Sequence, residues 1–323
     1  MYDGVINVYK EKGFTSHDVV AKLRGILRQK KIGHTGTLDP DAEGVLPVCL
    51  GKGTKLCDML TDKTKAYRAV LLLGRETDTQ DAGGQVLRCC APEDLAALTE
   101  EMARGAVMSF VGPYDQIPPM YSALKVNGQK LCDLARAGKT VERKARPVEI
   151  LSIGIEEICL PRVTMTVECS KGTYIRTLCS DIGEKLGVGG CMEQLVRIRS
   201  GNFHLEEALT LAQIETLRDR GELDSRIVPV EEVFSGLPKV SSRPEFDRLA
   251  RNGNPLRPEQ CMEAEQSAEP ENPETDGTGA KESDPAISGQ IRLYDSEGTF
   301  IGVYAYRKEK RWYQPVKIFA GGQ

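Results

Sequence analysis

The chain reads as an α+β protein with a large main body and a smaller β-rich part at its C-terminal end. Three observations predict this. Segments of strand-like alternation and of helical spacing follow one another irregularly, without the strict strand–helix–strand order of a doubly wound sheet. A stretch from Lys31 to Lys55 is rich in glycine, carries two prolines and has no periodic run, so it reads as a shaped loop. Its apolar residues Ile32, Leu38, Val45, Leu46, Val48 and Leu50 are anchors that a disordered segment lacks. After about Leu237 the character changes again, to short strands around a polar, acidic segment.

The elements follow in order. Gly4 to Tyr9 has strand character, and Thr15 to Asp18 forms a capping-box pattern before Val19, Val20, Leu23, Ile26 and Leu27 at helical spacing. The Lys31–Lys55 loop comes next, with Asp39 at its centre. Pro40 biases Asp39 toward an extended backbone. Lys65 to Leu73 is a strand, and Gly74 to Gly84 is rich in turn formers. Pro92 followed by two acids starts a helix that runs to Arg104. Gln116 to Leu124 is extended because of its two prolines, and Lys125 to Gly138 has the pattern of an amphipathic helix. Pro147 to Ile158 and Arg162 to Ser170 are strands. Thr173 to Leu186 is a helix ended by Gly187, and Met192 to Ser200 another strand. Thr210 caps a helix that reaches Arg220. Beyond it, Pro244 to Leu256 is short and polar. Ile291 to Tyr294, Phe300 to Tyr306 and Trp312 to Phe319 complete the pattern as three strands.

Composition narrows the function classes. With 40% hydrophobic and 28% charged residues over 323 positions, the chain is that of a soluble globular protein. No apolar run is long enough to span a membrane. The N-terminus lacks a signal pattern, so the expected location is the cytoplasm. There the ten cysteines are expected to be free thiols. The three histidines, His17, His34 and His204, stand at no metal-ligand spacing, so no metal is expected. With no phosphate-binding loop in the sequence, no cofactor is expected either. The net charge of −4 hides an asymmetry: residues 258–286 hold nine acidic side chains against Lys281 alone, which leaves the rest of the chain at +4. Two basic clusters stand out, Lys22 to Lys31 before the loop, and Lys125 to Arg146 with seven basic side chains against Asp133 and Glu142. Such clusters are usually solvated surface, but two of them, one abutting the loop, point to a phosphate-contacting face.

The wording of the loop is distinctive. His34-Thr35-Gly36-Thr37-Leu38-Asp39-Pro40, then Gly44-Val45-Leu46-Pro47 and Gly51-Lys52-Gly53-Thr54-Lys55, resembles the signature of the TruB-type tRNA pseudouridine synthases. Lys65-Ala66-Tyr67-Arg68, Gln116 to Lys125 and Cys169 to Thr177 resemble further motifs of the same family. The resemblance covers residues 1 to about 235 well and the remainder loosely. It implies a catalytic domain over 1–237 with a mixed, largely antiparallel sheet flanked by helices. It also implies a small PUA-like RNA-binding domain over 240–323. The acidic segment at 258–286 that interrupts it is outside the resemblance, and its Glu, Pro, Ser, Gly and Thr content predicts a disordered or exposed insert. Asp39 takes the place of the catalytic carboxylate, Arg176 that of its arginine partner, and Tyr67 that of the tyrosine that stacks on the target base. His34 matches the histidine that occupies space left by a flipped base. Tyr174 and Lys125 are candidate substrate contacts.

The implied activity is isomerisation of a uridine in the T-arm loop of tRNA to pseudouridine, by a stand-alone monomer with tRNA as its partner. Two alternatives remain: a guide-RNA-dependent relative, and a non-catalytic tRNA-binding or folding module. A phosphate-binding loop at Gly51-Lys52-Gly53-Thr54 fails, because Leu46 stands where that motif needs glycine and Gly53 where it needs Ser or Thr. No cysteine sits in a nucleophile motif, which disfavours a cysteine-dependent uridine methylase.

Overall fold

The computed structural model describes residues 1–61, 63–126, 128–262 and 289–320. It is an α+β structure of two compact units that do not follow chain order. The larger holds Ile6–Val48 and Cys57–Leu223; the smaller collects Met1–Val5, Cys49–Leu56 and the chain from Asp224 onward. Among the described residues no helix is long and apolar enough to cross a membrane.

The chain opens with β1 (Gly4–Lys10) and α1 (Ser16–Leu27), whose capping box pairs Thr15 with the backbone and side chain of Asp18. The glycine-rich stretch is less of a loop than its composition predicts. It contains β2 (Ile32–His34) and the long β3 (Glu43–Leu50), so the irregular part is Thr35 to Ala42. The reason is burial on both faces. Val45, Leu46, Val48 and Leu50 are all solvent-free, a continuous apolar run that an interior strand tolerates. Gly44, at φ +102°, lets β3 approach β12 so closely that a Cβ would meet the Arg197 carbonyl oxygen at 2.3 Å.

Short helix α2 (Cys57–Thr61) leads to β4 (Lys65–Leu73), and β5 (Arg75–Thr77) pairs with β6 (Val86–Cys89). The single helix expected from Pro92 is two, α3 (Pro92–Ala96) and α4 (Glu100–Met108), because Thr99 caps a fresh start with its hydroxyl on Met102 N–H. Strand β7 (Gly112–Gln116) precedes the extended proline segment. The amphipathic helix expected at Lys125 to Gly138 is replaced by a tight hairpin, β8 (Lys125–Val126) with β9 (Gln129–Lys130), and the one-turn α5 (Leu131–Arg136). Gly128 at φ +82° makes that turn, which outweighs the helical spacing around it. Then come β10 (Arg146–Cys159), β11 (Arg162–Cys169), α6 (Ile175–Lys185), β12 (Gly190–Ser200), β13 (Phe203–His204) and α7 (Leu211–Arg220), the last capped by Thr210 and Gln213.

The main sheet runs β1-β3-β12-β4-β11-β10-β7, with β2 beside β3 and β13 beside β12. From β12 through β7 the pairs are antiparallel, and β12 meets β3 in parallel. Alternation decides the faces. Tyr67, Ala69, Leu71 and Leu73 of β4 and Val163, Met165 and Val167 of β11 share one buried core with Ile175, Leu178 and Ile182 of α6 and Ala103 and Val107 of α4. The opposite face is polar, with Arg68 bridging Glu156 at 2.7 Å across the strands.

In the smaller unit, β14 (Ile227–Val228) lies so close to Gly4 that a Cβ there would sit 2.4 Å from the Val228 carbonyl oxygen. A four-stranded sheet follows, in the order β15 (Lys239–Ser241), β16 (Gln290–Tyr294), β17 (Phe300–Arg307), β18 (Trp312–Ile318). The three expected strands are present, and β15, not expected, pairs in parallel with β16. The segment from Pro244 to Leu256 is more than a polar linker. It forms α8 (Asp247–Arg251), and Ala250 and Leu256 are fully buried with Val240, Leu293 and Tyr304. The acidic insert also begins later than residue 258. Cys261 is 5% exposed within this core and bridges Ser242, so 258–262 belong to the folded unit. The remainder of the expected insert lies outside the described residues.

Candidate active site

Asp39 is held by both of its neighbours. Leu38 N–H donates to the Ser16 hydroxyl at 2.9 Å, from the first turn of α1. The Pro40 carbonyl accepts from Gly13 N–H at 2.9 Å and from Lys10 Nζ at 3.0 Å. Lys10 is fully buried at the end of β1, and desolvation lowers its pKa to about 8 against the pull of Glu43 and Asp39. The peptide flanking Asp39 is therefore fixed, while 38% of its side-chain surface stays open.

Arg176 meets this carboxylate with two of its nitrogens, Nε to Oδ2 at 2.9 Å and Nη2 to Oδ1 at 3.2 Å. Its other contacts hold the guanidinium in one plane. Nη1 donates to the Thr79 carbonyl at 3.0 Å and lies 3.6 Å from Asp81, and Nη2 donates to the Tyr121 carbonyl at 2.8 Å. The arginine is 4% exposed, a buried cation satisfied on every side. Desolvation pushes the Asp39 carboxyl above the ordinary carboxylate range, Arg176 opposes the shift, and the negative charge of Asp81 adds to it.

Tyr67 lies opposite Arg197 across the β4–β12 pair and is 9% exposed. Burial raises its hydroxyl above the usual phenol range and the Arg197 charge opposes this, so it is a neutral phenol at neutral pH. Arg197 is itself buried, with Nε on the Val45 carbonyl at 2.6 Å. His34 is half-buried, its ring edge-on to His17 at 5.8 Å between centroids. Desolvation and the neighbouring His17 lower its pKa, and its Nδ1 is buried without a hydrogen-bond partner. Tyr174 is the residue before α6, its backbone bonded twice to Gln116. Lys125 is exposed on β8, beside Lys130 and Lys139 in an open groove.

Residues 24–175 match the model of the TruB family pseudouridylate synthase N-terminal domain, and residues 176–235 that of the tRNA pseudouridylate synthase B C-terminal domain. The chain belongs to the TruB family of pseudouridylate synthases. It is therefore an enzyme of the isomerase class. It is 51% identical over 98% of its length, and 99% of the relative's, to the tRNA pseudouridine synthase B of Lachnoclostridium phytofermentans. The Staphylococcus aureus protein of that name is 48% identical over 74% of this chain and 80% of its own. Among solved structures, a Cbf5-Nop10-Gar1 complex matches with TM-score 0.69 and 26% identity over 98% of this chain and 84% of that one.

The sequence pointed to Asp39 and Arg176, and the fold brings them together across 137 positions of chain. It did not point to Asp81, Thr79, Lys10, Ser16 or Arg197, and it marked Gln116 and Tyr121 only as members of the motif at 116–125, without a role. Asp81 looked like one more turn former. Lys10 had a detectable signal, since it follows Ile6 and Val8 on the buried face of β1.

Proposed function

We propose that this TruB family enzyme is a stand-alone tRNA pseudouridine synthase that isomerises one uridine in the T-arm loop. The observation that carries the reading is the partly open carboxylate of Asp39 under a two-point grip from buried Arg176. Pseudouridine formation breaks the N-glycosidic bond, turns the detached base and rejoins it through carbon, with no net oxidation or reduction. It needs an ionised carboxylate at the sugar–base junction and a pocket for a base taken out of the stack.

Asp39 is that carboxylate. Burial favours its neutral form, and the Arg176 charge opposes that shift and favours the ionised one. Tyr67 stacks on the target base, a contact that tolerates a turning ring because it follows the π-face. His34 fills space left in the RNA loop by the flipped base. Tyr174 lines the pocket, and Lys125 contacts phosphate beside it. Residues 1–237 serve catalysis and 240–323 a PUA-like RNA-binding role. The alternative reading is a guide-RNA-dependent synthase. The name of the relative that matches nearly end to end favours tRNA itself.

The test is incubation of the purified protein with an unmodified tRNA transcript, without guide RNA, followed by chemical mapping. Conversion of one T-arm uridine is expected. Conversion only after a guide is added, or tight binding without conversion, overturns the reading.

A further inference from the structure

Gln116 ends β7 and is 1% exposed, yet its side chain is spent on a peptide. Its Nε2 donates to the Tyr174 carbonyl at 3.0 Å, and its Oε1 accepts from Tyr174 N–H at 2.7 Å. One amide thus pairs with both backbone groups of one residue, and the Tyr174 carbonyl also accepts from Leu178 N–H at 3.1 Å as α6 begins. Tyr174 precedes the first turn of α6 and makes no side-chain cap of its own. The Tyr174 N–H finds its partner outside the helix, in the Gln116 side chain. Arg176 stands in that first turn.

The same segment touches Arg176 a second time. Beyond Pro118 and Pro119, which narrow the conformations open to the chain, the Tyr121 carbonyl accepts from Nη2 of Arg176 at 2.8 Å. Gln116 to Tyr121 is thus a strap with one end on the helix start and the other on the guanidinium.

We propose that Gln116 is a positioning residue for the reaction: by pairing with the Tyr174 peptide it fixes the start of α6, and so sets Arg176 in its two-point contact with Asp39. This rests on the reading of Asp39 and Arg176 as the catalytic pair. A shift of the helix start by a fraction of a bond length leaves RNA contacts intact but misaligns the fork on the carboxylate, and reaction rates are sensitive to displacements of that size.

The test uses the full-length protein with Gln116→Met, which keeps length and volume without polar atoms, and Gln116→Glu, which keeps an acceptor for Tyr174 N–H but has no donor for its carbonyl. Single-turnover rates at saturating tRNA, tRNA affinity and the pH dependence of the rate are measured. Both variants are expected to bind tRNA as the parent does and to react about tenfold to a hundredfold more slowly. The acid limb of the rate should also move to higher pH. The charges facing Asp39 are Arg176 from α6, Asp81 from the turn after β5 and Lys10 from β1, and only the first is loosened. A lower melting temperature with an unchanged rate and an unmoved acid limb makes Gln116 merely structural and overturns the proposal. If Gln116→Met fails to fold, seen as lost tRNA binding, Gln116→Glu decides by the same criteria. Arg176→Lys run alongside separates the two claims. If it is slow while the Gln116 variants are fast, the strap alone is refuted. If it is as fast as the parent, the catalytic pair is refuted too.

Discussion

Replacing Arg176 by lysine tests the site at its most constrained point. All three guanidinium nitrogens are engaged: Nε and Nη2 on Asp39 at 2.9 and 3.2 Å, Nη1 on Thr79 at 3.0 Å, Nη2 also on Tyr121 at 2.8 Å. An ammonium is a point charge on a shorter arm and cannot serve both sides of that plane. The Arg176→Lys variant keeps at best one bond to the carboxylate. Loss of one hydrogen bond to a charged group costs about 1.5–3 kcal/mol, and a displaced cation adds to that. A barrier increase of about 2–4 kcal/mol corresponds to a rate about 30-fold to 1,000-fold lower. The carbonyls of Thr79 and Tyr121 lose their donor, so the fold should also lose about 1–3 kcal/mol. Because the pKa of Asp39 is raised in the fold, its ionised form lowers stability at neutral pH. Its favourable contribution is complete below the ordinary carboxylate pKa and lost as pH rises through the raised value. Activity runs the other way, since the rate needs the ionised form and falls as pH drops through that same value. Weakening Arg176 moves this acid limb upward. The assay is single-turnover conversion at saturating tRNA across pH, with affinity from filter binding. A parent-like rate and an unmoved limb would refute the role given to the fork.

Three further outcomes are expected. Asp81→Asn removes the negative charge 3.6 Å from Arg176, so the acid limb should move to lower pH while the rate falls through a less firmly held guanidinium; an unchanged profile counts against coupling of the three groups. Excising 263–286 should leave the melting temperature unchanged and strengthen RNA binding at low salt, whereas excising 258–286 also removes buried Cys261 and should cost about 2–3 kcal/mol; equal thermal effects of the two deletions would contradict this boundary. Exhaustive chelation of zinc, with magnesium restored to fold the tRNA, should leave the rate intact, and a zinc-specific rescue would show a metal requirement.

Local rules account for what the sequence disclosed. The capping boxes at Thr15 and Thr210 and the alternation in β4 and β11 are written in neighbouring residues, and the structure follows them. The misread elements are those in which distant packing overrides local composition. Strand β3 was hidden among glycines and a proline because both of its faces are buried by chain far away in sequence. Gly128 turned an apparent helix into a hairpin, and β15 gains its partner only from a strand some fifty residues later. The site divides the same way. Asp39, Arg176 and Gln116 stand in motifs, while Asp81 and Lys10, and the pairing of Gln116 with Tyr174, act through contacts that no spacing announces. A carboxylate in a turn and an amide paired with a distant peptide look ordinary until the chain is folded.

The most direct measurement is release of tritium from a tRNA transcript labelled at carbon 5 of uracil, compared between the parent and Asp39→Asn, with tRNA affinity measured on the same samples. The two side chains are nearly the same shape, and a phosphate-rich interface does not depend on one carboxylate. The account predicts complete release from the T-arm uridine by the parent, none by Asp39→Asn, and equal binding by both. Release by Asp39→Asn at a rate near the parent's would contradict it.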